Sequence, residues 1–158
     1  MIGNVGVEID IAEHWSVTMP IFYSSLDYFK STLKFRTFCA QPELRYWFKG
    51  NDGWFVGAHA GIAWYNFALD GKWRFQDHKG RTPMFDKGIG AGYRTALGKH
   101  SRWALEFTLG CGTGNLKYDR FINVPNGQKV TTIEKTFIGI DNAAVSLCYR
   151  FDIKRRNK

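Results

Sequence analysis

The side chains of this chain that are suited to chemistry are scattered, and their spacing matches none of the common catalytic or metal-binding motifs. Cysteine and histidine never pair at zinc-ligand spacing, and no serine stands in a Gly-x-Ser-x-Gly elbow. The stretch from Gly88 to Gly92 lacks the third-glycine spacing and the following helix of a dinucleotide-binding loop. His59 lies beside glycines, where a packed or water-bonded histidine is favoured over a base or a ligand. The sequence therefore predicts no catalytic residue, no cofactor and no metal site.

Five charged residues form a clearer pattern, because each occupies a polar position in a segment where apolar and polar residues alternate. They are Glu8, Glu43, Arg45, Arg94 and Glu106. Carboxylates and guanidinium groups that project from neighbouring strands into one interior can pair with each other. We predict that these five form a cross-strand network that plugs the interior of a barrel and leaves no diffusion pore.

The segments that carry these residues have a period of two, which is the side-chain period of β-strands. The chain of 158 residues has six Trp, seven Tyr, thirteen Phe and 17 Gly but only four Pro, a composition that favours strands over a helical bundle. The pattern predicts seven strands, over residues 5–11, 15–23, 38–48, 53–69, 84–97, 103–109 and 143–151.

The connections between these segments alternate in length. Residues 12–14, 49–52 and 98–102 are short polar turns, whereas residues 25–34, 70–83 and 119–136 are long and charged. This alternation predicts an antiparallel up-and-down meander with short turns at one end and three long loops at the other. Outer-membrane barrels show that asymmetry, whereas soluble lipocalin-like barrels share the meander without it.

The two faces of the strands decide which class of barrel is favoured. One face carries large aliphatic side chains bracketed by aromatic ones, and the other carries charges of both signs. An apolar exterior suits lipid, whereas turning the charged face outward would place four carboxylates among acyl chains, each at a cost on the order of a few kcal/mol. No apolar stretch is long enough for a transmembrane helix. The prediction is an all-β transmembrane barrel of the outer membrane, and a soluble lipocalin-like binder or a lipid A-modifying enzyme remain alternatives.

The net charge of +8 points to anionic partners. We hypothesise that Lys72, Arg74 and Arg81, in the second long loop, contact the phosphates of lipopolysaccharide. Residues 152–158 form a basic tail, for which an anchoring role outside the membrane is favoured over nucleic-acid binding.

Three strings carry a resemblance to a known family: Gln41-Pro-Glu-Leu-Arg-Tyr-Trp-Phe48, Gly57-Ala-His-Ala-Gly61 and Trp64-Tyr65-Asn66. With them the chain resembles a family of small Bacteroides-type outer-membrane β-barrel proteins that is catalogued as a domain of unknown function. The resemblance implies a non-enzymatic scaffold, often encoded near fimbrial genes and so linked to fimbriae or surface assembly. It implies no catalytic residues, because none is assigned in that family.

Members of that family begin with a signal peptide and a first strand that are not seen before Asn4 here. Because single-chain bacterial barrels use even strand numbers, seven strands predict an eight-stranded barrel that lacks its first strand. The expected domain is residues 1–151, with residues 4–11 and 137–151 at two free edges. Tyr149-Arg-Phe151 is similar to the signal that the barrel assembly machinery reads.

Overall fold

Antiparallel β-strands make up nearly all of the chain in the computed structural model, which describes residues 3–27, 30, 32–99 and 102–151. The strands are Gly3–Ala12 (β1), Trp15–Asp27 (β2), Leu33–Ala40 (β3), Glu43–Asn51 (β4), Gly53–Leu69 (β5), Trp73–Asp77 (β6), Met84–Ala96 (β7), Trp103–Ile122 (β8) and Lys129–Tyr149 (β9). Within those residues there is no helix that could cross a membrane. The predicted all-β antiparallel class is confirmed. The basic tail predicted over residues 152–158 lies outside the described residues.

One sheet contains all nine strands, and its neighbours follow the order of the chain. β3 and β4 share one position between β2 and β5, and β6 and β7 share one position between β5 and β8. The path is therefore a meander of seven positions. In the described part of the chain β1 pairs with β2 alone and β9 with β8 alone, which places both segments at sheet edges as expected.

The predicted number of seven strands was too low: the described residues form nine, because two of the seven positions in the sheet are each divided between two strands. Gln41 and Pro42 separate β3 from β4, since proline has no N–H with which to continue the ladder. The chain nevertheless stays extended there: the Gln41 amide donates to the Pro20 carbonyl at 3.1 Å, and the Ala60 amide donates to the Pro42 carbonyl at 3.1 Å. The second division is the turn over residues 78–83, which separates β6 from β7.

The three long loops predicted at one end were also wrong in extent, because strands continue into them. β6 lies inside the second predicted loop, and β8 and β9 remain paired from Arg120 opposite Thr131 down to the body of the sheet. Polar residues on both faces of these extensions hide the period-two pattern of apolar residues. We call this side of the sheet, with the connections 70–72 and 123–128, the loop end, and the side with connections 12–14, 49–52 and 98–102 the turn end.

The sheet curls so strongly that strands far apart in its order meet across an interior. Glu8 on β1 forms an ion pair with Arg94 on β7, although three strand positions lie between them. In a flat sheet with strands about 4.8 Å apart, these strands would be separated by about 19 Å. The curl buries mainly polar side chains: the buried apolar residues are Trp47, Phe55, Ala68 and Ala104, whereas most other buried side chains are polar or charged.

Candidate functional site

The structure brings all five residues of the predicted charge network together inside the curled sheet. Arg45 donates from Nε to Glu43 Oε2 at 2.8 Å and from Nη1 to Glu106 Oε1 at 3.0 Å and Glu8 Oε2 at 3.3 Å. Arg94 donates to Glu106 Oε2 from Nε at 2.8 Å and from Nη2 at 2.5 Å, and its Nη2 also pairs with Glu8. Two arginines and three glutamates thus form a single connected network. Such a network holds the strands together and fills the space between them.

Two aromatic rings that were not predicted to belong to this network complete it. Trp47 and Phe55 lie opposite each other on β4 and β5, with ring centroids 4.7 Å apart. Each faces a guanidinium group, with Arg45 Cζ 4.3 Å from the Phe55 ring centroid and Arg94 Cζ 4.5 Å from that of Trp47. These contacts supply cation–π attraction in a place without bulk water. The sequence did contain a signal for Trp47: it is two residues after Arg45, so the alternation of a strand places both side chains on the same face.

A hydrogen-bonded chain ties the Trp47 ring to the network. Trp47 Nε1 donates to Ser16 Oγ at 2.9 Å, and Ser16 Oγ donates to Glu8 Oε1 at 2.7 Å. The indole N–H and the serine hydroxyl therefore both have partners although both residues are fully buried. Ser16, one of the serines available to an enzyme, is here engaged with a carboxylate of the network.

A second interior cluster lies further toward the loop end and consists of His59 on β5, Asp86 on β7 and Asp141 on β9. His59 Nε2 and Asp141 Oδ2 are 2.9 Å apart, and Gln41 Nε2 donates to Asp86 Oδ2 at 3.3 Å. Asp86 and Asp141 were not predicted as site residues. Parity would have placed Asp86 inside, whereas Asp141 owes its inward position to an irregularity of pairing that the sequence pattern does not show.

A third polar cluster surrounds the Asp119 carboxylate near the loop end, where β6, β8 and β9 extend. His78 Nδ1 and Thr132 Oγ1 lie 2.8 Å and 2.7 Å from Asp119 Oδ1, and the Lys79 amide donates to Oδ2 at 3.1 Å. Lys129 Nζ is 2.8 Å from Oδ1. Burial alone would raise the pKa of Asp119, but these hydrogen bonds outweigh it and hold the pKa well below its ordinary value. The charged Asp119 carboxylate therefore links the turn over residues 78–83 to the β8–β9 hairpin.

The three basic residues predicted to contact lipopolysaccharide lie at the loop end, and among the described residues no hydrogen bond joins any two of them. Lys72 Nζ is 5.0 Å from the Trp73 ring centroid, and Arg74 Cζ is 4.4 Å from that of Phe121. Arg81 is exposed in the turn between β6 and β7. The Nε atom of Arg74 is buried and has no hydrogen-bond partner. Arg74 is therefore stacked against the sheet, whereas Lys72 and Arg81 are open to an external anion.

The family model for proteins of unknown function termed DUF3575 matches residues 1–151. The chain belongs to this family. The match covers the entire sheet, including both interior clusters, so the resemblance seen in the sequence is confirmed at the level of the family. No curated protein and no solved structure matches the chain significantly.

Proposed function

We propose that this protein is a non-enzymatic barrel of the outer membrane, a lipid-embedded scaffold that presents its loop end to the exterior. The observation that supports the proposal is the inverted distribution of side chains. Ion pairs fill the interior, whereas large apolar side chains cover the outer face, among them Val17, Met19, Ile89, Leu109 and Ile140. Water disfavours such an exterior and lipid favours it.

Along the axis of the proposed barrel, the outer face shows the arrangement expected of a membrane barrel, because aromatic residues border its aliphatic band at both ends. At the turn end, the ring centroids of Trp54 and Tyr93 lie 5.0 Å apart, and those of Trp103 and Tyr149 lie 4.9 Å apart. Toward the loop end, Phe38 lies 5.9 Å from Trp64. Such aromatic girdles sit at the two interfaces of a bilayer.

The distance between the girdles fits a bilayer. Trp54 and Trp64 are ten residues apart on β5, which corresponds to about 33 Å of strand at about 3.3 Å per residue. A strand tilted by about 40° then rises about 25 Å, the height of the apolar band in outer-membrane barrels. Lys87, on the same face as Phe85 and Ile89, lies opposite Ala60 and therefore carries a charge near the middle of this band. Its long side chain can extend its ammonium group toward the interface.

The substitution Ile89→Lys separates a lipid-facing from a water-facing exterior by the size of its effect on the free energy of unfolding. Ile89 lies opposite Ala58 in the middle of the band and is 66 % exposed. In lipid, a lysine there is expected to lower the free energy of unfolding by about 2–4 kcal/mol, whereas on a water-facing surface it changes by less than about 0.5 kcal/mol. Denaturant unfolding of the protein in lipid vesicles measures the difference.

The matched control is Leu69→Lys, because Leu69 is 72 % exposed but lies beyond the Trp64 girdle at the loop end. Its expected effect is about 0–1 kcal/mol. Equal and small effects of both substitutions, together with folding without detergent, would favour the soluble lipocalin-like alternative. A mass shift of lipid A on expression would favour the enzyme alternative instead.

Lipopolysaccharide is the proposed partner of the loop end, through the phosphates that Lys72, Arg74 and Arg81 would face. Reversing all three charges to glutamate is expected to reduce lipopolysaccharide co-purification by more than about ten-fold, since each basic residue near an anionic surface contributes about 1 kcal/mol. Phosphate analysis of the purified protein gives the readout. Reversal of Lys49 and Lys99 at the turn end is the control and should leave the bound amount unchanged. Unchanged co-purification in the triple variant would contradict the assignment.

Two further partners belong to the same proposal. The barrel assembly machinery would insert the chain, with Tyr149 and Phe151, whose rings lie 4.7 Å apart, near its end. A surface or fimbrial protein would bind the paired extensions of β6, β8 and β9 at the loop end. Pull-down with the loop-end hairpin of β8 and β9 altered, and the turn end intact, tests the second of these.

A further inference from the structure

We propose that His59, Asp86 and Asp141 form a binding site for one divalent transition-metal ion, with Zn²⁺ the best match. One ligand atom from each residue lies within 4.8 Å of the others, and the three come from β5, β7 and β9. Ligands of a single zinc ion are each about 2.0–2.2 Å from it, so a shift of less than about 1 Å would bring all three into range. An imidazole with two carboxylates is a ligand set that zinc accepts.

The charge of this cluster distinguishes it from the neighbouring arginine network. The glutamates of that network each pair with Arg45 or Arg94. In the described part of the chain, no lysine or arginine forms an ion pair with Asp86 or Asp141. Two enclosed carboxylates that pair with neither a lysine nor an arginine are costly unless a positive charge joins them. A divalent cation supplies that charge.

The Asp141 side chain offers a free ligand atom. The side chain of Asp141 is 4 % exposed, and its Oδ1 atom is buried without any hydrogen-bond partner, whereas its Oδ2 is bound to His59. A buried carboxylate oxygen rarely lacks a partner, so each case in a native fold needs a cause. Metal coordination uses this atom or its neighbour and accounts for its orientation.

An irregularity of the sheet places Asp141 inside. β8 residues Gly110 and Cys111 are consecutive, but their partners on β9 are Asn142 and Ile140, which leaves Asp141 as an extra residue. A bulge of this kind re-aims a side chain and is frequent beside functional sites. Without it, the strict alternation would give Asp141 the same outward direction as Cys111.

Glycine keeps the space around the cluster open. A Cβ atom on Gly88 would lie 2.4 Å from the Cys111 backbone oxygen, which is too close for any side chain to be added there, and 2.5 Å from His59 Nε2 and 2.8 Å from Asp141 Oδ2. The ligand atoms thus occupy room that only glycine leaves. Gln41 donates to Asp86 and orients its carboxylate from the outer shell of the site.

The test uses the full chain, folded in detergent and stripped with a chelator, with Zn²⁺ as the probe. Equilibrium dialysis with elemental analysis is expected to give one Zn²⁺ per chain, and bound Zn²⁺ should raise the thermal unfolding temperature. Asp141→Asn and His59→Gln, which nearly preserve side-chain volume, should each weaken binding by about ten-fold or more. Mg²⁺, which avoids imidazole, should bind far more weakly.

The matched control is His78→Gln, because His78 also pairs with a buried aspartate, Asp119, but outside the cluster. It should bind Zn²⁺ as the native chain does. Absence of stoichiometric Zn²⁺ binding, or binding that survives the Asp141→Asn and His59→Gln double variant, would overturn the proposal. If a variant does not fold, Co²⁺ bound to the native chain decides: a visible spectrum that differs from aqueous Co²⁺ and is displaced by Zn²⁺ supports the site, and an unchanged one refutes it. The inference does not rest on the proposed membrane function.

Discussion

Replacing Arg94 by methionine is expected to lower the free energy of unfolding by about 3–5 kcal/mol. Arg94 pairs with both Glu8 and Glu106, and its guanidinium lies over the Trp47 ring. Its removal leaves the network with three glutamates and one arginine, so buried carboxylate charge loses its counter-ion. Equilibrium unfolding in denaturant, followed by tryptophan fluorescence, measures the loss.

Two further variants identify the cause of this loss. Lys117→Met breaks an ion pair with Glu134 in which both side chains are exposed, and the expected loss is at most about 1 kcal/mol. Adding Glu106→Gln to Arg94→Met removes one uncompensated charge and should restore part of the stability. If the double variant is as unstable as the sum of its parts, uncompensated charge is not the cause.

The same Arg94→Met variant tests the idea that the network plugs the interior. We expect the single-channel conductance of the native chain in planar bilayers to be small, because the interior of a barrel of about eight strands is filled by side chains. The variant should lose stability while its conductance stays small. A large conductance of the native chain would contradict the plug.

Replacing Trp47 by alanine is expected to cost about 3–5 kcal/mol. Trp47 is fully buried, and its loss removes the packing against Phe55 and the hydrogen bond to Ser16. It also removes the ring that Arg94 stacks on, so the cavity opens beside the charge network. The measurement is again denaturant unfolding, with Trp47→Phe as the variant that keeps a ring but not the N–H group.

The control for this prediction is Trp54→Ala in the turn-end girdle, because Trp54 is 64 % exposed. Its side chain leaves no cavity, and the main loss is its pairing with Tyr93, worth about 1 kcal/mol. Equal losses for the two tryptophans would mean that the interior around Trp47 is not tightly packed. The predicted order is Trp47→Ala largest, Trp47→Phe intermediate and Trp54→Ala smallest.

Much of the fold and of the interior could be read from the sequence, because a β-strand turns alternate side chains to opposite faces. Once residues 38–48 are taken as extended, Glu43 and Arg45 must share a face, and the same parity assigns Glu8, Arg94 and Glu106 to the interior of a meander. Local alternation therefore determined the strand class, the two faces and the members of the charge network.

The tertiary structure alone decided the features that depend on pairing between distant strands. The bulge at Asp141 exists only in its register with β8, and it reverses the direction that alternation predicts for that carboxylate. The paired extensions at the loop end likewise depend on partners rather than on apolar periodicity. Alternation along each strand assigns every regular strand residue to a face. The meeting of His59, Asp86 and Asp141 follows from the curled sheet instead, since proximity across an interior is a property of strand order and curvature.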